Sequence, residues 1–482
     1  MSVAPQTPGA TRRTKIVATL GPASRSPAVL RGLIEAGVDV LRLNFSHGDR
    51  RTHAESIAAI RDIADGLDRP VGILADLAGP KVRIGEFEGG SATLVAGERF
   101  VLTTRPVLGN QAGVSVNYPG LPEDVKPGES ILLNDGLIEL KVEKVEGPDV
   151  HCRVVTGGVL TSHKGVALPM TTLRLPCLTE KDREDLRFGL EQGIDFVGLS
   201  FVRRAADVEE ARALVAALGY DTPLVAKIER HEALEDLEAI LAKADGIMVA
   251  RGDLAVDTSY ERVPMIQKRL IRQANQAGKP VITATQMLRS MVDNPRPTRA
   301  EATDIANAVL DGTDAVMLSE ESAVGAYPVE AVRVMDRIIR AAEEEIDYSG
   351  TLLRRERIGD QGRVIAGAVA RAACFIAQDI KAAAILTPTS SGQTARLVAR
   401  HRPAQPIIAL TPDPATYRRL SLSWGVTPLL VGDLLSTDDM IEKAKEAVLR
   451  AGILAPGDPL VITAGHPIGV PGGTNLITAV RL

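Results

Sequence analysis

Two carboxylates and a lysine follow neighbouring apolar runs in the middle of the chain and could hold a metal ion. Lys227 and Glu229 close the run LVAKIE, and Asp253 follows the next run, GIMVAR. Carboxylates at adjacent strand ends suit a hard cation such as Mg²⁺ or Mn²⁺, which keeps coordination positions for substrate oxygens. Lys227 is predicted to point to the same side as Glu229 and to stabilise charge on a phosphoryl group or an enolate. The alternative interpretation is a structural ion-pair network.

A second polar group follows the run DVLRLN. Arg42 is suited to a bidentate grip on a phosphate group. Asn44 and Ser46, together with Asp76 at the end of the next run, form an oxygen-only cluster suited to a cation. The chain has no Walker A sequence and no G-x-G-x-x-G after a strand, so phosphate binding of those types is excluded.

Thr285 and Ser319 end two later apolar runs and carry hydroxyl groups. Because a hydroxyl is a poor acid, we expect either residue to position a water molecule or to relay a proton rather than to act alone. The alternative is that each residue caps the helix that follows it.

All of these residues lie at the ends of short apolar runs, which alternate with amphipathic segments in the pattern of a parallel α/β protein. Eight such units closing on themselves predict a TIM (β/α)8 barrel, whose active site lies at the carboxyl ends of the strands. The eight runs are KIVATL, DVLRLN, VGILAD, DFVGLS, LVAKIE, GIMVAR, PVITAT and DAVMLS.

The spacing is interrupted between the third and fourth runs, where short alternating strands predict an all-β domain inserted over the barrel mouth as a lid. A fresh α/β pattern after the barrel predicts a C-terminal α/β domain. The predicted boundaries are a loose N-terminal tail (1–12), a discontinuous barrel (13–78 and 175–345), the lid (79–174), a linker (346–360) and the C-terminal domain (361–482).

The composition is that of an ordinary globular protein. Lys plus Arg is 56 and Asp plus Glu is 61, with aromatics at 3%, which argues against nucleic-acid binding. The three cysteines are far apart and predict neither a disulfide framework nor a zinc site. We find no apolar run long enough for a membrane span and no signal peptide, so we expect a cytoplasmic protein without membrane contact.

Several long motifs carry a specific resemblance. RLNFSHG, LADLAGPKVRIG, HKGVALP, VAKIERHE, IMVARGDL, PVITATQMLRSM and NPRPTRAEATDIANAVLDGTDAVMLSEESAVGAYP occur in this order. From about residue 12 to its end the chain resembles the pyruvate kinase family. The resemblance implies phosphoryl transfer from phosphoenolpyruvate to ADP, giving pyruvate and ATP in the last step of glycolysis, and a homotetramer. Two alternatives are a metal-dependent aldolase-like barrel and a non-catalytic sensor that has lost turnover.

The resemblance assigns roles to individual residues. Glu229 and Asp253 match the ligands of the divalent cation, and Lys227 matches the ammonium that steadies the phosphoryl group and the enolate. Arg42 and Arg83 match positions that contact the transferring phosphate, and Thr285 and Ser319 match positions linked to protonation of the enolate. The positions matched to the nucleotide site are Asn44, His47, Arg83 and Lys164. The positions matched to the substrate site are Ala250, Arg251, Gly252, Asp253 and Thr285.

A hydroxyl-rich turn in the C-terminal domain matches the family's loop for the phosphate of an allosteric activator. Its candidate ligands are Thr387, Thr389, Ser390, Ser391, Gly392 and Thr394. The turn lacks the Lys that fructose 1,6-bisphosphate-responsive members carry where Ser390 stands, and the later loop, 465–474, lacks their Trp and Arg. We therefore expect a sugar monophosphate or a nucleoside monophosphate. The alternative is a helix cap that binds no ligand.

The third strand end departs from the pattern of members that require K⁺. Those members usually read Asp-Thr-Lys-Gly-Pro-Glu, whereas this chain reads Asp76-Leu-Ala-Gly-Pro-Lys81. An ammonium at Lys81, beside Asn44, Ser46, Asp76 and Leu77, is predicted to replace the monovalent cation, so that K⁺ is not required. The alternative is that Lys81 is a solvated hinge residue and K⁺ still binds.

Overall fold

The computed structural model of the chain describes residues 12–169, 171–354, 364–467 and 473–482. The chain begins with strands whose residues are almost all buried and with capped helices between them. Ser26 and Asp49 each accept a backbone hydrogen bond at the start of the two helices. These elements are β1 (Lys15–Thr19), α1 (Pro27–Glu35), β2 (Val40–Asn44), α2 (Arg50–Gly66) and β3 (Gly72–Asp76).

The inserted lid is built from antiparallel strands and contains one short α-helix among its described residues. The sequence Asn134-Asp-Gly predicts a turn inside the lid, and Asn134, Asp135 and Gly136 all have positive φ, as a tight turn between antiparallel strands requires. Six strands pair in the order β11-β7-β8-β9-β5-β6, and β10 pairs with β4. The elements are β4 (Ser91–Leu94), β5 (Arg99–Thr103), β6 (Gly113–Ser115), α3 (Leu121–Asp124), β7 (Ser130–Leu133), β8 (Ile138–Glu146), β9 (Asp149–Thr156), β10 (Gly158–Thr161) and β11 (Val166–Ala167).

The remaining barrel strands alternate with helices, and the eight strands close in the order β1-β16-β15-β14-β13-β12-β3-β2 with all neighbours parallel. The TIM-barrel prediction is confirmed. The elements are α4 (Glu180–Glu191), β12 (Phe196–Leu199), α5 (Ala205–Ala217), β13 (Leu224–Ile228), α6 (His231–Glu235), α7 (Leu237–Lys243), β14 (Gly246–Ala250), α8 (Arg251–Asp257), α9 (Val263–Ala277), β15 (Val281–Ala284), α10 (Arg299–Asp311), β16 (Ala315–Leu318), α11 (Glu320–Ala323) and α12 (Pro328–Glu344).

The segment after α12 differs from the sequence prediction. A helix, α13 (Tyr348–Arg354), lies where a linker is predicted, and Leu352 on it is 2% exposed within the core of the C-terminal domain. Local propensity does not decide whether a helix this short forms. Burial of an apolar side chain in the core stabilises it. Residues 355–360 of the predicted linker and 1–11 of the predicted tail lie outside the described residues.

The C-terminal domain has a five-stranded sheet in the order β19-β18-β17-β20-β21, in which only β21 is antiparallel to its neighbour. Its elements are α14 (Val364–Asp379), β17 (Ala384–Pro388), α15 (Gln393–Ala399), β18 (Ile407–Thr411), α16 (Pro414–Arg419), β19 (Val426–Leu430), α17 (Thr437–Arg450), β20 (Pro459–Gly465) and β21 (Thr474–Arg481). Across the described ranges of the whole chain, no helix combines the length and the apolar character needed to cross a membrane.

The C-terminal domain packs against the amino ends of the barrel strands, away from the lid. The Lys15 ammonium at the start of β1 donates to the carbonyl of Val426 over 2.9 Å. The Arg402 guanidinium pairs with Asp314, just before β16, over 2.9 Å. Leu422, from the C-terminal domain, belongs to the apolar cluster formed by side chains of the barrel strands. The carboxyl ends of the strands are therefore left for the lid and the functional site.

Candidate active site

Lys227 lies at the centre of a charged cluster at the carboxyl ends of three neighbouring strands. Its ammonium donates to the Ser200 hydroxyl over 2.7 Å and lies 2.8 Å from Glu229 Oε1 and 3.3 Å from Asp76 Oδ1. Burial opposes the positive charge, but Asp76 and Glu229 outweigh it and raise the pKa of Lys227. The lysine is therefore held as a cation that faces the barrel mouth.

Arg42 joins this cluster from β2. Its Nε and Nη2 both lie 2.6 Å from Asp76 Oδ2, and its Nη1 donates to the Thr19 hydroxyl over 3.0 Å. Burial alone would raise the pKa of Asp76, but Lys227 and Arg42 lower it. Asp76 thus stays ionised and fixes both cations, which leaves their remaining N–H groups for an anionic ligand.

The two carboxylates predicted to bind a metal differ in their surroundings. Glu229 is 2% exposed, and its Oε2 accepts a hydrogen bond from the backbone N–H of Phe201 over 2.9 Å. Its Oε1 contacts the Lys227 ammonium but receives no hydrogen bond of acceptable geometry. Asp253, in the first turn of α8, is exposed to solvent. The protein around its other sides and the charge of Glu229 raise the pKa of Asp253 to about 6.

These residues fit a divalent cation. The donor set consists of carboxylate oxygens, one of them buried without a hydrogen bond, and the mutual repulsion of Glu229 and Asp253 is relieved when a cation binds between them. The metal site at this pair stays a prediction, which the chemistry of these side chains supports.

Thr285 lies in a strained turn directly after β15. Both Thr285 and Gln286 have positive φ, 71° and 56°, a conformation that costs of order 1–3 kcal/mol per residue. The Thr285 hydroxyl accepts a hydrogen bond from the N–H of Gly252 over 3.1 Å. The guanidinium of Arg251 donates to the carbonyls of Ala284 and Thr285 over 3.0 and 2.5 Å. The Arg251 side chain therefore supports this turn instead of reaching into the cleft.

Ser319 is placed by a buried glutamate that sequence reasoning missed. Glu321 is 1% exposed, and its two carboxylate oxygens accept the backbone N–H groups of Ser319 and Leu288 over 2.7 and 3.0 Å. The hydroxyl of Ser319 makes no capping hydrogen bond to the helix that follows. Sequence reasoning also assigns no role to Ser200, although its position at the end of the fourth apolar run was a signal.

Lys81 reaches the polar group on β2. Its ammonium donates to the Ser46 hydroxyl over 3.0 Å, and Ser46 N–H in turn donates to Asn44 Oδ1 over 3.1 Å. Desolvation, together with the charges of Lys227 and Arg83, lowers the pKa of Lys81, while Asp253 and Asp76 act in the opposite direction. The carbonyl of Leu77 accepts a hydrogen bond from Ser200.

The residues predicted to bind the nucleotide do not form one hydrogen-bonded cluster in the described part of the structure. Within the part of the chain that the structure describes, the hydrogen bonds of Arg83 stay inside the lid, and its guanidinium donates to the His163 carbonyl over 2.8 Å. Lys164 takes part through its backbone carbonyl, which accepts from Ile84. Desolvation and the charges of Lys81, Arg83 and Arg42 lower the pKa of His47, so this residue does lie in the positive field of the cleft.

The predicted effector turn divides into buried and exposed hydroxyls. Thr387 and Thr389 are 0% and 8% exposed, and the buried hydroxyl of Thr394 bonds that of Thr474 over 2.8 Å. Ser390 and Ser391 are exposed and lie just before Gly392, the cap residue of α15. Residues 468–472 of the later loop lie outside the described residues.

Comparison with known proteins identifies relatives over almost the whole chain. A family model described as the pyruvate kinase barrel domain matches residues 11–332, and one described as the pyruvate kinase alpha/beta domain matches residues 367–480. The chain is 50% identical to pyruvate kinase 2 of Synechocystis sp. over 98% of the chain and 80% of the relative. It is 48% identical to a Geobacillus stearothermophilus pyruvate kinase over 97% of the chain and 80% of that protein.

A solved structure shows the same architecture. The crystal structure of a pyruvate kinase from Cryptosporidium parvum superposes with a TM-score of 0.93 at 37% sequence identity, and the match covers 98% of this chain and 96% of that one. The barrel, the inserted lid and the C-terminal α/β domain therefore follow one chain path in both proteins.

Proposed function

The chain belongs to the pyruvate kinase family and is a pyruvate kinase, and we propose that the cluster around Lys227 transfers the phosphoryl group of phosphoenolpyruvate to ADP. In this reaction the bond between phosphorus and the enol oxygen breaks, a bond to the terminal oxygen of ADP forms, and the enolate takes up a proton to give pyruvate. The observation that carries the proposal is the Lys227 ammonium held between Asp76 and Glu229 at the barrel mouth.

Glu229 and Asp253 would hold the divalent cation, Mg²⁺ or Mn²⁺, on which enzymes of this family depend. When bound, that cation neutralises charge on the phosphoryl and enolate oxygens. Lys227 stabilises the same charge from the side of β13, and Arg42, fixed by Asp76, binds the phosphoryl group through its free N–H groups. All of these charges are preorganised by buried partners, so little reorganisation is needed during transfer.

Thr285 and Ser319 are proposed to position the water molecule that delivers a proton to the enolate. Their hydroxyls lie at the ends of β15 and β16, and both backbones are fixed, by Arg251 and by Glu321 respectively. The N–H groups of Ala250, Arg251 and Gly252 are proposed to face the substrate carboxylate. His47, Lys164, Asn44 and Arg83 are proposed to bind the nucleotide after the lid has moved toward the barrel.

The decisive test is a coupled assay of pyruvate formation from phosphoenolpyruvate and ADP, with and without Mg²⁺. We expect turnover to require the divalent cation and to be lost in Glu229→Gln and Asp253→Asn with the fold retained by circular dichroism. An enzyme that keeps its rate in either variant would contradict the ligand assignment. No observation favours the aldolase-like or the sensor alternative.

We further propose that Lys81 supplies the positive charge that K⁺ provides in other members. The contact of its ammonium with the Ser46 hydroxyl supports this, because Ser46, Asn44 and Asp76 are the residues that would hold the monovalent ion. A tethered charge also avoids the entropy of recruiting a free ion. The Leu77 carbonyl, another group that the ion would use, already accepts a hydrogen bond from Ser200.

An allosteric monophosphate is proposed at the turn before α15. The exposed hydroxyls of Ser390 and Ser391 support binding of a phosphate group there. We expect a sugar or nucleoside monophosphate to raise the affinity for phosphoenolpyruvate and to bind more tightly when that substrate is present. Replacing Ser391 and Thr394 by Ala should abolish the response and spare basal activity, with Thr394→Ala alone as the control for lost packing. No response to any phosphate ester in a broad panel would leave the turn as a helix cap.

We also propose a homotetramer in the cytoplasm. The resemblance to the family supports the tetramer, and the three free, buried cysteines agree with a reducing compartment. Sedimentation equilibrium of the full chain tests the assembly, and a mass of one or two chains would contradict it.

A further inference from the structure

Two arginines that follow neighbouring barrel strands hold the segment by which the lid returns to the barrel. Arg203, after β12, donates to two backbone carbonyls of residues 173–175. Arg230, directly after Glu229, donates to the carbonyl of Thr171 over 2.8 Å. The side chain of Arg203 is 15% exposed and that of Arg230 only 6%. The position of this hinge therefore depends on buried guanidinium groups that belong to the barrel.

Arg230 also reaches α8, the helix that carries Asp253. Its Nη1 lies 2.8 Å from Oδ1 of Asp257, the last residue of α8. The other oxygen of Asp257 accepts hydrogen bonds from the backbone N–H and from the ring of His231, over 2.6 and 2.9 Å. Arg230 thus connects the lid hinge, the strand end of Glu229 and the helix of Asp253.

The contact between Arg230 and Asp257 is a buried ion pair, in which Oδ1 of Asp257 receives no hydrogen bond of acceptable geometry. Both side chains are nearly inaccessible to solvent, and a guanidinium presents its donors in a rigid fork. A carboxylate at the C-terminal end of a helix is disfavoured by the helix dipole, so Asp257 depends on a cation for its position. Loss of Arg230 would leave Asp257 buried without its cation and would release α8 at that end.

We propose that Arg230 is a positioning residue that sets the placement of Asp253 relative to Glu229. It acts on Asp253 through Asp257, and through the carbonyl of Thr171 it makes the placement of Asp253 depend on the lid hinge. This inference rests on the proposed assignment of Glu229 and Asp253 as ligands of the divalent cation. Its consequence is that the affinity for the metal, the affinity for phosphoenolpyruvate and the order of the hinge change together.

The test measures Mn²⁺ binding directly, from the electron paramagnetic resonance signal of the free ion, with the full chain and without turnover. We expect Arg230→Gln and Asp257→Asn each to raise the dissociation constant for Mn²⁺ and the KM for phosphoenolpyruvate about tenfold, the scale for losing a partner that orients a metal ligand. Arg230→Lys should recover part of both. The double variant Arg230→Gln/Asp257→Asn should be no worse than either single variant.

The matched control is Arg212→Gln. Arg212 pairs with Asp245 over 2.6 Å, and the same Asp245 oxygen accepts the N–H of Leu224 at the opposite end of β13. This variant removes a half-exposed arginine–aspartate pair that contacts the other end of the same strand, and it should leave the Mn²⁺ dissociation constant and the KM unchanged.

Three results would overturn the proposal. The first is a lowered melting temperature of Arg230→Gln with unchanged Mn²⁺ affinity and KM, which would make Arg230 only structural. The second is additive losses in the double variant.

The third result needs no variant. In hydrogen exchange of the wild-type chain, Mn²⁺ with phosphoenolpyruvate should protect residues 171–175 as well as α8, and protection confined to α8 would contradict the coupling. Asp253→Asn tests the ligand assignment separately, because wild-type Mn²⁺ affinity in that variant would refute the assignment whatever the Arg230 variants show.

Discussion

The two ends of the barrel each contain a buried lysine, and the pKa values of these lysines shift in opposite directions. At the amino end, Lys15 donates to a carbonyl of the C-terminal domain over 2.9 Å and lies 3.8 Å from Asp39. Burial lowers the pKa of Lys15 more than Asp39 raises it. At the carboxyl end, Lys227 is equally removed from water, but two adjacent carboxylates, Asp76 and Glu229, raise its pKa.

The carboxylates at the two ends differ in the same way. At the amino end, the oxygens of Asp195 and Asp314 are all hydrogen-bonded to arginine side chains or backbone N–H groups. At the carboxyl end, Asp76 Oδ1 and Glu229 Oε1 are buried without a hydrogen bond. The same residue types therefore make a domain interface where each of these carboxylate oxygens has a hydrogen-bond partner, and a site for ligands where some carboxylate oxygens have none.

The largest effect should come from Lys227→Met. We expect turnover to fall by at least about 10³-fold with the fold retained, because a preorganised charge is lost from the transferring group. The matched control is Lys15→Met, which removes a buried lysine from the other end of the barrel and should keep kcat within about twofold. A Lys227→Met enzyme with a tenth of the wild-type rate would refute the difference between the two ends.

Arg402→Met should show the reverse pattern. Arg402 is 4% exposed and binds Asp314, Asn275 and the carbonyl of Gly312 over 2.8–2.9 Å. Its loss leaves Asp314 buried without its cation, so we expect the free energy of unfolding, measured in denaturant, to fall by about 3–5 kcal/mol. The kcat of the folded fraction should stay unchanged. A lower kcat at full folding would show that charges at the amino end also act on the chemistry.

Lys81→Glu should make the enzyme depend on K⁺. The wild-type chain should be nearly fully active in Mg²⁺ with only a bulky organic monovalent cation, whereas the variant should gain at least about tenfold in rate on adding K⁺, because the ion replaces a charge that stabilises the transition state. Steady-state rates at constant ionic strength measure this. A wild-type rate that itself rises tenfold with K⁺ would refute the role of Lys81.

The smallest effect concerns stability at alkaline pH. Because the folded pKa of Lys15 lies below its unfolded value of 10.5, the unfolded chain binds more protons between those two values. Stability of the wild type relative to Lys15→Met should therefore rise with pH across that interval. Denaturant unfolding of both proteins at several alkaline pH values gives the difference, and a fall with pH would contradict the sign of the shift.

The sequence was sufficient for the eight strands, because a strand buried on both faces must be almost wholly apolar and its end is marked by the first polar residues. It also indicated the turn at Asn134, where three successive residues favour positive φ. It did not indicate α13 or β21. The helix depends on burial of Leu352, and β21 depends on pairing with β20, so both are decided by contacts that local composition does not contain.

For the site, the sequence by itself determined that Lys227 and Glu229 lie on one side of one strand end, since residues two apart in a strand share a face. Only the tertiary structure decided that Asp76 and Ser200 complete the surroundings of Lys227, that Glu321 holds Ser319, and that Arg230 links Asp257 to the lid hinge. These partners come from different strands and loops, and they meet only because the barrel closes and brings their ends to one rim. Spacing along the chain predicts that the barrel closes, but it does not show which side chains meet at the rim.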